Sequence, residues 1–157
     1  MKTLAHFALG LSLLTGCQDA PELTTLPDPP TGLAVSWAFD DCAPWDGAAT
    51  TIYLAGTTAS EPRNATYPHA WVSLYRSVTD VAGRTFRWGE ADKDTGGAMW
   101  CEAEGQCEAA IESVVRVRQR GEQEAGLSGA VDLVFPSGVR VVGGFRAAWI
   151  TNQLLCG

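Results

Sequence analysis

The chain has 157 residues, with 18 acidic side chains against 11 lysines and arginines and a formal net charge of −7. This length fits one domain with a leader, and the acidic balance argues against binding to nucleic acid and against adhesion to anionic lipid by charge. The acids are spread along the chain and form no acidic tail, so we expect them to lie on a solvated surface.

The first sixteen residues have the composition of an export signal. Lys2 provides a positive end, and an apolar stretch follows from Leu4 to Leu14. This stretch is shorter than the roughly 20 apolar residues that a membrane-spanning helix requires. We therefore predict a cleaved signal peptide over residues 1–16. Its removal takes away Lys2 and leaves ten cations against 18 acids, a net charge of about −8.

The four residues Leu14-Thr15-Gly16-Cys17 resemble the lipobox of bacterial lipoproteins. In that family a cysteine after small residues receives a diacylglyceryl thioether before the signal peptidase cuts on its amino side. The resemblance implies that Cys17 carries acyl chains such as palmitate and ties the chain to a lipid bilayer, because two or more chains give stable anchoring. It also implies a place in the bacterial envelope. Gln18 favours the outer over the inner membrane, since aspartate there marks inner-membrane retention in enterobacterial lipoproteins.

Residues 17–32 are predicted to form a tether between the lipid and the folded domain. Prolines at positions 21, 27, 29 and 30 favour an extended chain, which would hold the domain some 40 Å from the bilayer at about 3.1 Å per residue. The remaining residues, 33–157, have the length of one domain.

The first part of this domain contains several short strand-like runs. In the first run Leu33, Val35, Trp37 and Phe39 alternate with smaller or polar residues and share one face. Turn-forming Pro, Gly, Asn and Asp residues separate the runs, and we expect a loop over residues 89–97. The predicted strands are residues 33–39, 50–55, 70–75 and 85–88.

The C-terminal part predicts a three-stranded meander over residues 111–149. Residues 127–135 and 139–149 flank a tight turn at Pro136-Ser137-Gly138, and the pair Gly143-Gly144 suggests a bulge or bend where a side chain would not fit. Residues 111–118 fit a helical face or a strand, and the closely spaced valines favour the strand. The predicted fold class is all-β, a single antiparallel β-sandwich or partly open barrel.

Four cysteines remain after Cys17, an even number in an exported chain, which predicts two disulfides rather than a metal site. Four cysteines allow three connectivities. We favour Cys101 with Cys107 as a local staple across a hairpin or loop, and Cys42 with Cys156 as a link between the two ends of the domain. No metal or cofactor is expected, because the mature chain contains one histidine and no Cys-x-x-Cys pair.

The end of the chain, with Gly144-Phe145-Arg146-Ala147 and the late Cys156, resembles the tail of small uncharacterised lipoproteins from bacteria of the myxobacterial type. In that group a strand and an acidic or Ser-Gly turn precede glycine, phenylalanine, a small residue and a final cysteine. This chain differs in having residues 149–155 before the cysteine. The resemblance implies a β-rich, disulfide-bonded domain and carries no activity over to this chain.

Six tryptophans are an excess for a short domain. Because aromatic faces stack on sugar rings, Trp45 and Trp100, which lie in loop-like, cysteine-adjacent surroundings, are candidates for a glycan-binding patch. The alternative is structural: these two tryptophans cover disulfides, and the other four build the core of a small sandwich. Those four are Trp37, Trp71, Trp88 and Trp149.

Residues with catalytic chemistry are few. His69 is the one histidine of the mature chain and could act as a base toward Ser73, but no nucleophile-turn motif accompanies it. Residues 90–97 alternate carboxylates and end in glycines, as in a calcium loop, but Gly96 and Ala103 stand where an EF-hand needs oxygen ligands.

Two function classes follow. The first is a membrane-anchored envelope lipoprotein whose domain is a non-enzymatic binding or structural module, with an envelope protein or a glycan as partner. The second is a small extracytoplasmic hydrolase that draws a carboxylate pair from Asp40, Asp41, Asp46 and Glu90.

Overall fold

The computed structural model describes residues 25–56, 61–89, 95–118, 126–151 and Cys156. Nine strands contain more than half of these residues, and a 3₁₀ turn at Pro62–Asn64 and one helical turn, α1 (Val78–Val81), complete the regular structure of this part of the chain. The strands are β1 (Val35–Cys42), β2 (Ala48–Ala55), β3 (His69–Leu74), β4 (Thr85–Gly89), β5 (Gly96–Ala103), β6 (Gln106–Ala109), β7 (Glu112–Val117), β8 (Gly126–Val134) and β9 (Arg140–Ile150).

All nine strands belong to one sheet, in the order β4-β7-β8-β9-β1-β2-β3-β5-β6. The sheet curls into a half-barrel, and the all-β class stapled by two disulfides is confirmed. Of the two expected architectures the structure is the partly open barrel. The sheet is not purely antiparallel, because β1 and β9 run parallel, with Trp37 opposite Ala148 and Phe39 opposite Ile150.

The core fills the inside of the curl. In every strand except the edge strand β6, alternate side chains point into the core, as the pleat of a strand requires. Val81 of α1 is also fully buried against this cluster. The largest residues of the cluster that are completely buried are Phe135, Ile52, Leu54, Leu74 and Leu133. We expect their burial to supply most of the stabilising free energy, at about 25 cal/mol for each Å² of apolar surface removed from water.

Strand β1 places its bulky residues on the outside of the curl. Ala38 points into the core, whereas Trp37 and Val35 belong to a second, outer cluster together with Tyr53 of β2 and Ile150 of β9. Leu33, which precedes the strand, packs in the main core instead. The alternation predicted for residues 33–39 is therefore present, but Leu33 does not share a face with Trp37.

The predicted meander over residues 111–149 is confirmed as β7, β8 and β9, so residues 112–117 form a strand and not a helix. The remaining predicted strands of the domain are also present, with shifted ends. Two strands were not predicted, β5 and β6. β5 begins within the residues expected to be a loop, because Gly96-Gly97-Ala98 carries no β-branched side chain that would have indicated a strand.

Gly143 and Gly144 make room for another segment of the chain. The pairing of β8 with β9 continues without interruption through Val131 opposite Gly143 and Ala130 opposite Gly144, so the predicted bulge is wrong. Instead residues 27–30 lie against β9, and the Gly144 amide donates to the Asp28 carbonyl oxygen at 2.7 Å. A Cβ on Gly144 would come within 2.1 Å of the Pro27 carbonyl oxygen, so only glycine allows this close approach.

This contact shortens the predicted tether. Residues 27–30 were expected to belong to a free extended linker, but they pack on the domain, and the Leu33 amide then donates to the Pro30 carbonyl oxygen as the chain turns into β1. Nine residues lie between Cys17 and Pro27, so the remaining linker, with ten Cα–Cα steps, spans at most about 36 Å.

Both predicted disulfides are confirmed. Cys42 at the end of β1 is bonded to Cys156, across 114 residues of sequence. Cys101 and Cys107 are bonded across the β5–β6 hairpin, where they face each other in the strand register. The first therefore links the two ends of the domain, and the second staples an edge of the sheet.

Candidate functional site

Trp45 is the most exposed large aromatic residue of the described part of the chain, with 53% of its surface accessible. It lies in the turn between β1 and β2, which is closed by hydrogen bonds from the Ala43 amide to the Gly47 carbonyl oxygen (2.7 Å) and from the Asp46 amide to the Ala43 carbonyl oxygen (3.0 Å). Its ring meets Tyr75 edge to face, with 5.0 Å between ring centroids. The turn therefore holds Trp45 beside the end of β3.

Tyr75 also borders a cavity of about 210 Å³ near the place where the sheet curls back, between β4 and β5. Trp71 and Met99, which are opposite each other on β3 and β5, line it together with Gly96 and Gly97. We call this cavity and the adjoining ring of Trp45 the aromatic groove. Its aromatic side chains are those of Trp45, Trp71, Tyr75 and Trp88, of which Trp88 is also buried in the core.

The two glycines of β5 allow close approaches at the groove, Gly96 to the backbone of β3 and Gly97 to the side chain of Tyr75. A Cβ on Gly96 would stand 2.6 Å from the Ser73 carbonyl oxygen, and one on Gly97 would stand 3.3 Å from the Tyr75 hydroxyl oxygen. Burial raises the pKa of Tyr75, so its hydroxyl remains protonated at neutral pH and can donate a hydrogen bond. The groove thus combines apolar ring faces with at least one polar group that can orient a ligand.

The structure does not bring Trp100 to this groove. Trp100 points to the inner side of β5, where it packs against the core and Phe135, with 6.3 Å between ring centroids. The predicted pair Trp45 and Trp100 is therefore separated, one residue on an exposed turn and the other against the core. The structural alternative is also only partly right, because Trp88 and Trp149 pack in or against the main core whereas Trp37 belongs to the outer cluster and Trp71 lines the groove.

His69 lies in a stack of rings on the outer face of the sheet. Its ring centroid is 5.0 Å from that of Tyr53 and 4.8 Å from that of Tyr67. Burial lowers the pKa of His69, although a hydrogen bond with the backbone of Thr66 opposes the shift. Burial and the neighbouring Tyr67 raise the pKa of Tyr53 to about 12. His69 is therefore a neutral, packed ring at physiological pH.

Ser73 is not a partner of His69. The two residues lie four positions apart on β3, a separation of about 13 Å along a strand. The Thr51 hydroxyl donates to Asp41 Oδ2 at 2.8 Å, so its single proton is used. The Ser73 hydroxyl must then donate to Thr51 in the 2.7 Å contact between them. This arrangement fixes the three side chains to one another and supplies no activated nucleophile.

The described carboxylates proposed for a hydrolase are Asp40, Asp41 and Asp46. Asp40 and Asp41 are consecutive in β1 and point to opposite faces of the sheet. Asp41 accepts hydrogen bonds from Thr51 and from the Cys42 amide, both at 2.8 Å. Asp46 lies in the β1–β2 turn with φ at 62°. Glu90 lies outside the described residues.

The calcium-like run falls largely outside the described residues, which resume at Thr95. Within the described part of the chain, no group of three or more His, Cys, Asp or Glu side chains could hold a metal ion. The residues that the structure describes also contain no helix long and apolar enough to cross a membrane. Cys17 and the signal peptide lie before the first described residue.

Comparison with protein-family models, curated proteins and solved structures finds no match. The function is therefore inferred from the geometry of the chain itself. Sequence reasoning identified Trp45 but missed Tyr75, Trp71 and the glycines of β5. The Gly-Gly pair within a run of apolar residues was the one signal that could have indicated an open surface there.

The lowered pKa of His69 predicts a pH-dependent stability. Between the folded-state pKa and the ordinary value of 6.5 the unfolded chain binds more protons, so the free energy of unfolding falls as the pH is lowered through this range. His69→Phe keeps a ring between Tyr53 and Tyr67 but cannot titrate. We expect urea unfolding to show a smaller loss of stability between pH 7.5 and pH 5 for the variant than for the parent. If the free energy of unfolding depends on pH equally in both, His69 is not the titrating group.

Proposed function

We propose that the chain is an envelope lipoprotein anchored through Cys17, whose half-barrel is a non-enzymatic module that binds a glycan in the aromatic groove. The observation that carries this proposal is the grouping of Trp45, Trp71 and Tyr75 around the glycines of β5. The lipobox at residues 14–17 supports the anchor, and Gln18 favours the outer membrane.

Sugar rings fit the chemistry of this groove. Their C–H faces pack on aromatic rings, and their hydroxyls need polar partners, which the Tyr75 hydroxyl provides. The cavity, at about 210 Å³, is smaller than the roughly 300–1,000 Å³ of most small-molecule pockets. A single ring of a longer chain fits this size, and the exposed Trp45 offers a platform for the adjoining unit.

A binding role is favoured over the hydrolase because Asp41, Ser73 and His69, three of the candidate catalytic groups, are held by other side chains. Asp41 and Ser73 are held in hydrogen bonds with Thr51, and the ring of His69 is packed between two tyrosines. A glycan is favoured over an envelope protein as ligand because the groove is narrow and aromatic rather than broad and flat. A protein interface of standard size buries about 800 Å² on each partner.

The glycan proposal predicts the effect of removing the exposed rings. In the mature chain with Cys17→Ser, Trp45→Ala combined with Trp71→Ala should weaken binding to purified peptidoglycan or to envelope polysaccharide by roughly tenfold or more, since each ring pairing contributes on the order of 1 kcal/mol. Co-sedimentation and quenching of tryptophan fluorescence measure this binding.

Two controls separate the groove from general effects. Tyr67→Ala removes another exposed ring, outside the groove, and Trp100→Phe alters the ring that packs against the core. Both should bind as the parent does. A parent that binds neither glycan, or a Trp45/Trp71 variant that binds as well as the parent, would refute the proposal.

The anchor predicts a defined processed form. Expressed in a bacterium with its own leader, the chain should lose residues 1–16, gain the mass of a diacylglyceryl group at Cys17 and sediment with the membranes. Intact-mass spectrometry and fractionation measure both properties. Cys17→Ser should remain unacylated and leave the membrane fraction. A parent chain recovered in the soluble fraction with a free thiol at Cys17 would contradict the anchor.

A further inference from the structure

The outer face of β4, β7, β8 and β9 carries a positive surface in a chain whose net charge is negative. Alternation along these strands turns Arg87, Arg116, Arg140 and Arg146 outward, and all four are exposed. We call these four residues the arginine face. The carboxylates that point outward from the same strands are Glu112 and Asp132.

The two carboxylates are concentrated near one of the arginines. Arg140 forms a bidentate pair with Asp132, with both N···O distances at 2.8 Å. This hydrogen bonding lowers the pKa of Asp132, and the charges of Arg140 and Arg116 add to the shift. Glu112 also lies within electrostatic range of Arg140. Within the described part of the chain, Arg87, Arg116 and Arg146 therefore have no salt bridge of their own.

These free guanidinium groups can recognise phosphate. In the strand register Arg87 is opposite Val114, which places it diagonal to Arg116, and diagonal neighbours on adjacent strands are about 7–8 Å apart. Both line a cavity of about 200 Å³, which is also bordered by Asp132, the carboxylate paired with Arg140. Two guanidinium groups at this spacing can share one phosphate group, which accepts bidentate hydrogen bonds from arginine.

The surface also has apolar character. Val142, 51% exposed, stands between Arg140 and Gly144 on β9 and borders the same cavity. An exposed apolar side chain among arginines suits the boundary between headgroups and acyl chains of a bilayer.

The segment that leads back toward Cys17 leaves the domain at this surface. Pro27 borders the cavity that Arg87 and Arg116 line, and the linker from there to Cys17 spans at most about 36 Å. Asp28, on the same segment, adds one negative charge near this surface. The three arginines without a salt bridge still leave the surface positive. An acylated Cys17 would therefore hold the arginine face within reach of the bilayer.

We propose that the arginine face docks on the anionic headgroups of the bilayer to which Cys17 is anchored. The choice of a bilayer as the partner rests on the proposed function, because it follows from the lipid anchor at Cys17. The docking itself rests on the charge segregation and on the position of Pro27. The negative net charge does not oppose it, because electrostatic attraction to a surface depends on charges within about a Debye length of 10 Å.

The test uses the complete mature chain with Cys17→Ser, so that no acyl chain contributes, and vesicles of phosphatidylcholine with or without phosphatidylglycerol. We expect co-sedimentation with the anionic vesicles only, weakening as salt is added. Each arginine near an anionic surface contributes about fivefold to partitioning, so Arg116→Glu or Arg87→Glu should weaken it by roughly tenfold or more.

Arg76→Glu is the matched control, since it makes the same charge change at an exposed arginine outside the arginine face. It should change vesicle binding by no more than about twofold. Circular dichroism and urea unfolding should show that all variants are folded. Equal loss of binding for Arg76→Glu and Arg116→Glu would show that net charge alone matters and would overturn the proposal.

Two further outcomes would also overturn it. One is equal binding to both kinds of vesicle, and the other is binding to a soluble polyanion such as dextran sulfate without binding to anionic vesicles. The anchor is tested separately by the mass of the chain with native Cys17. If the native chain is lipidated but its Cys17→Ser form does not bind anionic vesicles, the proposed anchor stands and the proposed docking surface is refuted.

Discussion

The parallel pairing of β1 with β9 is the contact on which the rest of the structure depends. It joins two groups of strands, β4, β7, β8 and β9 on one side and β1, β2, β3, β5 and β6 on the other. The pairing extends over only three residues of each strand, from Trp37 to Phe39 and from Ala148 to Ile150. Without it the curled sheet would separate into two smaller sheets, each with an additional open edge.

Two further contacts support this short pairing. Beyond the end of β1, the disulfide between Cys42 and Cys156 ties the strand to the chain that follows β9. Before β1, residues 27–30 lie against Gly143 and Gly144 of β9. The first and last parts of the domain are thus held together at three successive places. The aromatic groove is lined by β4 from one group of strands and by β3 and β5 from the other, so its shape depends on this junction.

Much of this fold could be predicted because strand alternation and cysteine spacing are properties of the sequence itself. The strand at residues 112–117 was predicted from its valines. The local disulfide was predicted from the short sequence separation of Cys101 and Cys107. It was harder to predict which side chains of a strand point into the core and which point outward. The bulky residues of β1, such as Trp37, turn outward, because Phe135 and large residues of other strands fill the inside.

The site was less predictable for a related reason. β5 has glycines where a strand ordinarily has β-branched residues, and these glycines allow the β3 backbone and the Tyr75 hydroxyl to approach closely. Gly143 and Gly144 likewise indicated a special backbone, but the segment that approaches them comes from more than 100 residues earlier in the chain. Long-range approaches of this kind, and the joining of Trp45 to Tyr75, depend on the register of paired strands.

The most direct test of the β1–β9 junction compares the two disulfides. Removing the link across 114 residues, with Cys42→Ala and Cys156→Ala, should lower the free energy of unfolding by about 5 kcal/mol in the chain-entropy model, against about 2 kcal/mol for Cys101→Ala with Cys107→Ala. Urea unfolding measures both losses. Hydrogen exchange should also show that the first pair of substitutions lowers protection in β1 and β9 most. Equal losses for the two variants, or unchanged protection at the junction, would contradict the account.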